Sequence, residues 1–485
     1  MTRRFLSLLL VLSCSLPSMG AQSAQASQLV AAMLTDTPLE SDLQHLCDVI
    51  GGRETGSDAN DAAVQWAFAQ MKADSLDVQL EEFTMPSLWL ESATTASVHE
   101  RGEKIFSPLV VSKYHSPVGE HRSAVAFARK GAQEDFTDVD VKGKWVLVET
   151  EKCMDIAGLF AEYTQAYRVE ELARASGAAG VIYMSSRPKK LLYRFTTSRG
   201  VQTQLPQIVM AREDAKRCIR LIESGASLEL TVKISAEESD QFTSHNVIAE
   251  IPGTDLADEI ILIGAHIDSW ALGTGANDNG CNVALVMDIA RQMMRLGIKP
   301  RRTIRFALWN GEEQGFFGSH TYTLDHADEL DQHQMAMSID IGSGKIIGFF
   351  TNGDERHYDQ LDRYLAAVSA LGPFLHIPNA IVGTDNLDFL LQGIPNLVAN
   401  HKPYNYGLNY HASSDTYDKV DLQSLKLNSA IIAAVTLGYA NEPNLATDRM
   451  TRAQLDKVIK DQSLEFSLRM FDLWNDWTAG KRGLK

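Results

Sequence analysis

Four stretches of the chain run apolar and then stop on an acid or an imidazole. The first, Ile260-Ile261-Leu262-Ile263, continues through Gly264-Ala265 into His266-Ile267-Asp268. Its length and β-branching predict a strand buried on both faces. Thr303-Ile304-Arg305-Phe306-Ala307-Leu308-Trp309 runs into Asn310-Gly311-Glu312-Glu313-Gln314-Gly315, and Met335-Ala336-Met337-Ser338-Ile339 ends on Asp340. Asn396-Leu397-Val398-Ala399-Asn400 leads on to Tyr410-His411. Between these runs the apolar period becomes helical: 282–296 puts Val283, Val286, Met287, Ala290 and Met294 on one face. Residues 359–370, 385–392 and 421–440 also fit helices. The alternation predicts an α/β fold, a mixed and mostly parallel sheet with helices on both faces.

Ahead of this core, 28–50 has helical spacing through Leu29, Met33, Leu43, Leu46 and Ile50. The turn Gly51-Gly52-Arg53-Glu54-Thr55-Gly56 follows, then a helix over 62–74 with Ser57 or Asp58 as N-cap, then a strand over 78–83. Near 110 the texture changes. Short strands over 123–128, 144–149, 178–183, 206–210 and 228–234 accompany helices over 169–176 and 214–224. No pair of ligand-type residues there has metal spacing, so 111–240 reads as a smaller α/β insert without chemistry of its own. It splits a catalytic domain into 27–110 and 241–442. The tail, 443–485, carries Leu464, Leu468 and Phe471 on one helical face with Trp474 beside it. That face predicts packing on its own domain, with a homodimer contact as the alternative.

A length of 485 residues fits two domains better than one. Met1-Thr2-Arg3-Arg4 followed by the apolar run 5–12 has the pattern of a secretory leader, with small residues near 20–26 for cleavage. Residues 1–26 are therefore read as a signal peptide, and the protein as secreted or periplasmic. No later run is long enough to span a bilayer, so no membrane insertion is expected after its removal. Losing 1–26 takes away Arg3 and Arg4 and no acid, so the formal charge falls from −17 to −19. That acidity argues against a nucleic-acid partner or an anionic membrane surface. Four cysteines remain: Cys47, Cys153, Cys218 and Cys281. Export permits disulfides, and a bond between Cys153 and Cys218 is one expectation.

The strand ends supply the chemistry. In α/β sheets, sites form outside the carboxyl ends of the strands, and His266, Asp268, Glu312, Glu313, Asp340 and His411 all arrive there. Twelve residues past His266, Asp278 lies in Gly275-Ala276-Asn277-Asp278-Asn279-Gly280, where a flexible backbone can aim a carboxylate. Imidazole with carboxylate and no thiolate suits zinc or a neighbouring divalent ion. Two His and three carboxylates suffice for two ions if one carboxylate bridges them. One acid must stay outside the metal shell as general base, and either Glu312 or Glu313 can take that role while the other ligates.

In order and spacing, His266-x-Asp268, Gly275-Ala276-Asn277-Asp278-Asn279-Gly280, Asn310-Gly311-Glu312-Glu313-Gln314-Gly315, Ile339-Asp340 and Tyr410-His411-x-Ser413-x-Asp415 resemble the co-catalytic zinc aminopeptidase family. The Ser269-Trp270 that follows looks most like its plasma glutamate carboxypeptidase branch. The resemblance implies two zinc ions bridged by Asp278, with His266 and Asp340 completing one and Glu313 and His411 the other. It implies Glu312 as general base, Asp268 as the orienter of His266, and a cis peptide after Asp278. Gly143-Lys144-Trp145-Val146-Leu147-Val148 and Gly177-Ala178-Ala179-Gly180-Val181-Ile182 make the insert resemble a protease-associated domain, which in the family walls the cleft. Gly383-Thr384-Asp385-Asn386 departs from the family's Ser-Asp-His by carrying Asn386, and Cys281 stands where Gly or Ser is common.

The expected activity is metal-dependent hydrolysis of dipeptides and short peptides, of aminopeptidase or dipeptidase type. A free substrate amine is expected to meet Glu313 or the acids near Asp388. The alternatives are carboxypeptidase-type release of C-terminal residues, a non-catalytic binding protein, and one-metal chemistry like that of glutaminyl cyclase.

Overall fold

The computed structural model describes residues 19–196, 202–445 and 448–485. Most of the expected leader, including Cys14, lies outside the described residues.

Seven strands form the first sheet, in the order Asp77–Met85, Phe242–Ile251, Arg302–Trp309, Leu256–His266, His333–Ser338, Asn396–His401 and Ile346–Phe350. Parallel pairing is confined to the four strands from Arg302–Trp309 to Asn396–His401, and the flanking pairs are antiparallel. Those four are the apolar runs that end in chemistry. Side chains alternate between two cores along each strand. Ile261, Ile263, Ile304, Phe306, Met335 and Met337 pack with the helices Cys281–Arg295 and Leu422–Asn441. Leu262, Ala307, Trp309 and Ala336 face Tyr322 and Phe389 on the other side. A glycine is required at 264, because a Cβ there would lie 2.5 Å from Trp309 Nε1.

The second sheet has eight strands and runs from Leu88–Glu100 to Leu228–Ser239 in sequence. The smaller domain thus begins near 88, whereas 27–110 was expected to be catalytic. Its first long strand pairs with Leu228–Ser239 from Leu88 to Glu100, which fixes it to this sheet. The expected helix over 169–176 is the last part of a longer one, Ile156–Ala175, capped by Asp155 accepting from the Gly158 N–H at 2.8 Å.

The expected helix over 28–50 is interrupted: Met19–Met33 and Leu39–Gln44 are separate, with Pro38 at the second N-cap. Ser57 caps Asp58–Ala73. The tail forms Arg452–Asp461, Glu465–Met470 and Trp474–Thr478, divided by Ser463 and Asp472 at positive φ. Its Leu455, Leu468 and Trp477 pack against Phe316, Val382 and Leu387 of the same chain. All four described cysteines are free. Cys218 lies among Trp145 and Leu230, and Cys153 beside Leu159 and Tyr406, so the expected bond between them does not form.

Candidate active site

Each functional side chain sits at or just past the end of a parallel strand. His266 closes Leu256–His266, Glu312 and Glu313 lie in the turn after Arg302–Trp309, and Asp340 stands two residues beyond His333–Ser338. His411 comes from the segment after Asn396–His401.

The loop between His266 and Asp278 is held by Arg53, which is fully buried. Its Nε donates to the Ile267 carbonyl at 2.8 Å, Nη1 to Thr274 at 2.7 Å and Nη2 to Gly275 at 2.9 Å. Gly275 has φ +58°, and a Cβ there would lie 2.3 Å from Ser269 Cβ. The Asp415 carboxylate accepts the backbone N–H groups of Asn277 at 2.8 Å and Asp278 at 3.1 Å. The Asp278–Asn279 peptide is cis. Cys281 is a small buried residue here, its Sγ 3.5 Å from the Asn277 carbonyl.

Asp278 is thereby set between two imidazoles. Its Oδ1 is 3.3 Å from His266 Nε2, and its Oδ2 is 3.2 Å from His411 Nε2. His266 Nε2 also lies 2.9 Å from Asp340 Oδ1, and His411 Nε2 lies 2.8 Å from Glu313 Oε2. The ligand atoms of His266, Asp278 and Glu313 all fall within 4.8 Å of one another. In each ring the other nitrogen faces a backbone carbonyl, Asp268 at 3.1 Å for His266 and Arg194 at 2.9 Å for His411. With Nδ1–H donating to those carbonyls, each Nε2 turns a lone pair toward carboxylate oxygens. Lone pair against lone pair is unfavourable unless a cation lies between them.

Where no metal is bound, a proton on each Nε2 supplies that positive charge. Burial pushes the Glu312 carboxyl well above the usual range, against the pull of His266, and raises Glu313 to about 7 against His411. Burial opposes charge on the imidazoles, yet Asp340 and Glu312 lift His266 well above its ordinary value, and Glu313 and Asp278 bring His411 to about 9. Asp278 resists its burial and stays low beside the two imidazoles. Asp278 Oδ2 and Glu313 Oε1 are buried without a hydrogen-bond partner. Buried acids short of donors are what a divalent cation compensates. The donor set therefore fits a metal of the zinc type.

Asp268 is placed differently from the expectation that it orients His266 directly. Its Oδ1 is 3.5 Å from His266 Nδ1, farther than its own carbonyl. The carboxylate instead accepts from Thr55 Oγ1 at 2.9 Å and from the backbone N–H groups of Glu312 at 3.3 Å and Glu313 at 3.2 Å. It fixes the two glutamates and adjoins the histidine. Asp388, expected near a substrate amine, is not available. Arg482 takes both its oxygens at 2.7 Å, and the pair is buried. Asn386 bonds Asn352, Ile381 and Asn396 and supports its loop from inside.

A cleft opens over Asp278, Glu312, Glu313 and Asp340. Its walls are apolar: Phe160 and Tyr163 of the smaller domain, Phe316, Phe350 and Val382 of the larger one, and Phe471 of the tail. Tyr410 lines it too, its ring stacked 3.6 Å from that of His411 and its hydroxyl 3.3 Å from Tyr163's. Sequence reasoning missed Thr55, Arg194, Tyr163 and Phe471. Only the Gly-rich turn around Arg53 carried a readable signal.

Residues 246–436 match the model of peptidase family M28, and residues 106–218 match that of the PA domain. Carboxypeptidase Q of Mus musculus is 24% identical over 402 residues, covering 82% of this chain and 84% of that protein. The crystal structure of a peptidase M28 precursor from Shewanella amazonensis SB2B superposes with a TM-score of 0.79 at 26% identity, covering 89% of this chain and 99% of that one. A zinc aminopeptidase from Bacillus subtilis shares the fold, with a TM-score of 0.66 at 22% identity over 83% of this chain and 94% of that one. Fold and site together define a metallopeptidase, a hydrolase built on a mixed α/β sheet with a second, smaller domain. The segment 246–436 is thus similar to peptidase family M28, and the segment ahead of it is similar to a PA domain.

Proposed function

We propose that the protein is an exported two-zinc exopeptidase that cleaves dipeptides and short peptides carrying apolar side chains. The observation that carries the reading is Asp278, which turns one carboxylate oxygen to each of two His–carboxylate pairs. His266 and Asp340 would hold one ion, Glu313 and His411 the other, with Asp278 shared between them. Bound there, two zinc ions would polarise the scissile carbonyl and lower the pKa of water. Glu312 reaches into the cleft, its Oε2 4.0 Å from His266 Nε2. It is suited to take a proton as general base and return it to the leaving amine. Asp268 holds the backbone of Glu312 and Glu313, so the base and its neighbouring ligand point in different directions.

Substrate size follows from the walls, since insert and tail both meet over the cleft. Phe316, Phe350, Val382 and Phe471 offer burial to an apolar side chain. A free α-amine would meet Glu313, now that Asp388 is taken by Arg482. The leader-like residues 1–26 and the acidic balance favour action outside the cytoplasm. The mouse relative is called a carboxypeptidase and the Bacillus structure an aminopeptidase, and for a dipeptide both cut the same bond. Free, N-acetylated and C-amidated forms of one apolar dipeptide separate the two polarities. Cleavage of the free and amidated forms, with the acetylated form resistant, is the expected result. Efficient cleavage of the acetylated, C-free form would make the enzyme a carboxypeptidase and refute the amine-binding role of Glu313.

A further inference from the structure

Resting on the two-metal reading, the observations extend to a part of the chain that supplies no ligand. The segment 187–196 of the smaller domain lies alongside 410–413, which carries His411. Arg194 N–H donates to the His411 carbonyl at 3.1 Å, and Ser413 N–H donates to Leu192 at 3.0 Å. Tyr193 and Ala412 form an antiparallel bridge. Arg187 Nη2 donates to the Tyr410 carbonyl at 3.1 Å. The pairing closes on the imidazole, whose Nδ1 is 2.9 Å from the Arg194 carbonyl.

That carbonyl is held from the side chain of its own residue. The Arg194 guanidinium is buried between two carboxylates, Glu54 of the larger domain at 3.0 Å and Glu91 of the smaller one. It also lies over the rings of Trp89 and Trp270, and Trp270 meets His411 edge-on at 5.8 Å. Arginine suits this place because its planar fork can satisfy two acceptors at once, which a lysine ammonium does less well. His411 has φ +54°, a backbone position that an L-residue occupies only when its surroundings impose it.

We infer that Arg194 is a positioning residue for the second metal. Its clamped side chain fixes the carbonyl that keeps the proton on His411 Nδ1 and leaves Nε2 free to ligate. The smaller domain is then part of the metal centre as well as a wall of the cleft, and loosening it weakens the His411 half before the His266 half.

The test is Arg194→Lys, which keeps the charge and cannot span both glutamates. The neutral triple variant Glu54→Gln/Glu91→Gln/Arg194→Met serves if the lysine form does not fold. Zinc titration of metal-free protein should show one of two sites losing affinity about 10–100-fold, with the other unchanged. Nitrogen-15 NMR of histidine-labelled, metal-free protein supplies a readout independent of metal. The slowly exchanging Nδ1–H of His411 should be lost or broadened in the variant. Arg291→Lys, which loosens a clamp on Asp42 and Asp74 away from the site, should lower the melting temperature and leave both readouts alone. A folded variant with two unaltered zinc affinities and an unaltered Nδ1–H signal overturns the role of Arg194. A wild-type titration that saturates at one ion would refute the two-metal reading, whichever way the variant behaves.

Discussion

Replacing Asp268 by Asn changes no shape and removes one charge, in a place where each oxygen is committed. Oδ1 accepts from Glu312 N–H, while Oδ2 accepts from Thr55 Oγ1 and Glu313 N–H. An amide can keep its oxygen toward only one of the two backbone donors. Thr55 has a second acceptor to turn to, Asn310 Oδ1 at 3.4 Å, so its hydroxyl can be re-satisfied. One backbone N–H, of Glu312 or Glu313, then faces an NH2 group inside the protein. Such a loss costs about 1–3 kcal/mol, a factor of roughly 5–150 in an equilibrium. Because both glutamates sit on that turn, the cost falls on their placement. Zinc affinity and turnover should each drop by about 10–100-fold, the range seen when residues behind metal ligands are changed. Metal content at controlled free zinc, together with kcat on an apolar dipeptide, reads both. Full zinc occupancy with kcat within twofold of wild type would show that the Asp268 contacts do not position the glutamates.

Glu312→Gln should keep its metal and lose about 10²–10⁴ in turnover, whereas Glu313→Gln should lose metal first and activity with it. Equal metal loss in both would mean that the two roles are misassigned. Phe471→Ala should lower kcat/KM about 10-fold for dipeptides with large apolar residues and leave alanyl substrates nearly unchanged, and equal loss on both would remove the tail from the substrate pocket. His333 is buried, with Nε2 2.8 Å from the Tyr322 hydroxyl and Nδ1 3.0 Å from the Glu329 carbonyl, and burial lowers it from 6.5 to about 4. Below pH 6.5 the unfolded chain takes up a proton that the folded one refuses, so this stability is present above 6.5 and is lost as pH falls toward 4. Urea midpoints measured across that window should fall with pH, and His333→Gln should flatten the slope.

The centre of the fold was legible because its four parallel strands are buried on both faces, so their sequences run unbroken to the residues that do chemistry. His266, Glu312, Glu313, Asp340 and His411 are readable for that reason and Asp278 from its Gly-rich turn, and the structure brings them into one cluster. The start of the smaller domain was not legible. Leu88–Glu100 mixes Thr, Ser and Glu with few large apolar residues, and only its pairing with Leu228–Ser239 shows where it belongs. The family resemblance makes Asp268 the orienter of His266, but the strand ends at His266, and the carboxylate turns to the amides of Glu312 and Glu313. Asp388 looked like one more acid near the site until Arg482, 94 residues on, was seen to neutralise it. Arg194 left no trace because it acts through a carbonyl, which every residue has.

The two halves of the centre close over very different lengths of chain. His266 meets Asp340 across 74 residues, all within the larger domain, while His411 meets the Arg194 carbonyl across 217. Long closures form later than short ones because more chain entropy must be lost before any contact is gained. The order of assembly is therefore built into the topology: the His266 half can form early, and the His411 half waits for the smaller domain to fold and dock. A chain emerging from synthesis lacks the completed centre until His411 has been added and the smaller domain has docked. Hydrolytic activity is thus withheld from the unfinished protein by connectivity alone. Pulse-labelled hydrogen exchange during refolding should protect the strands around His266 before the amides of 410–413.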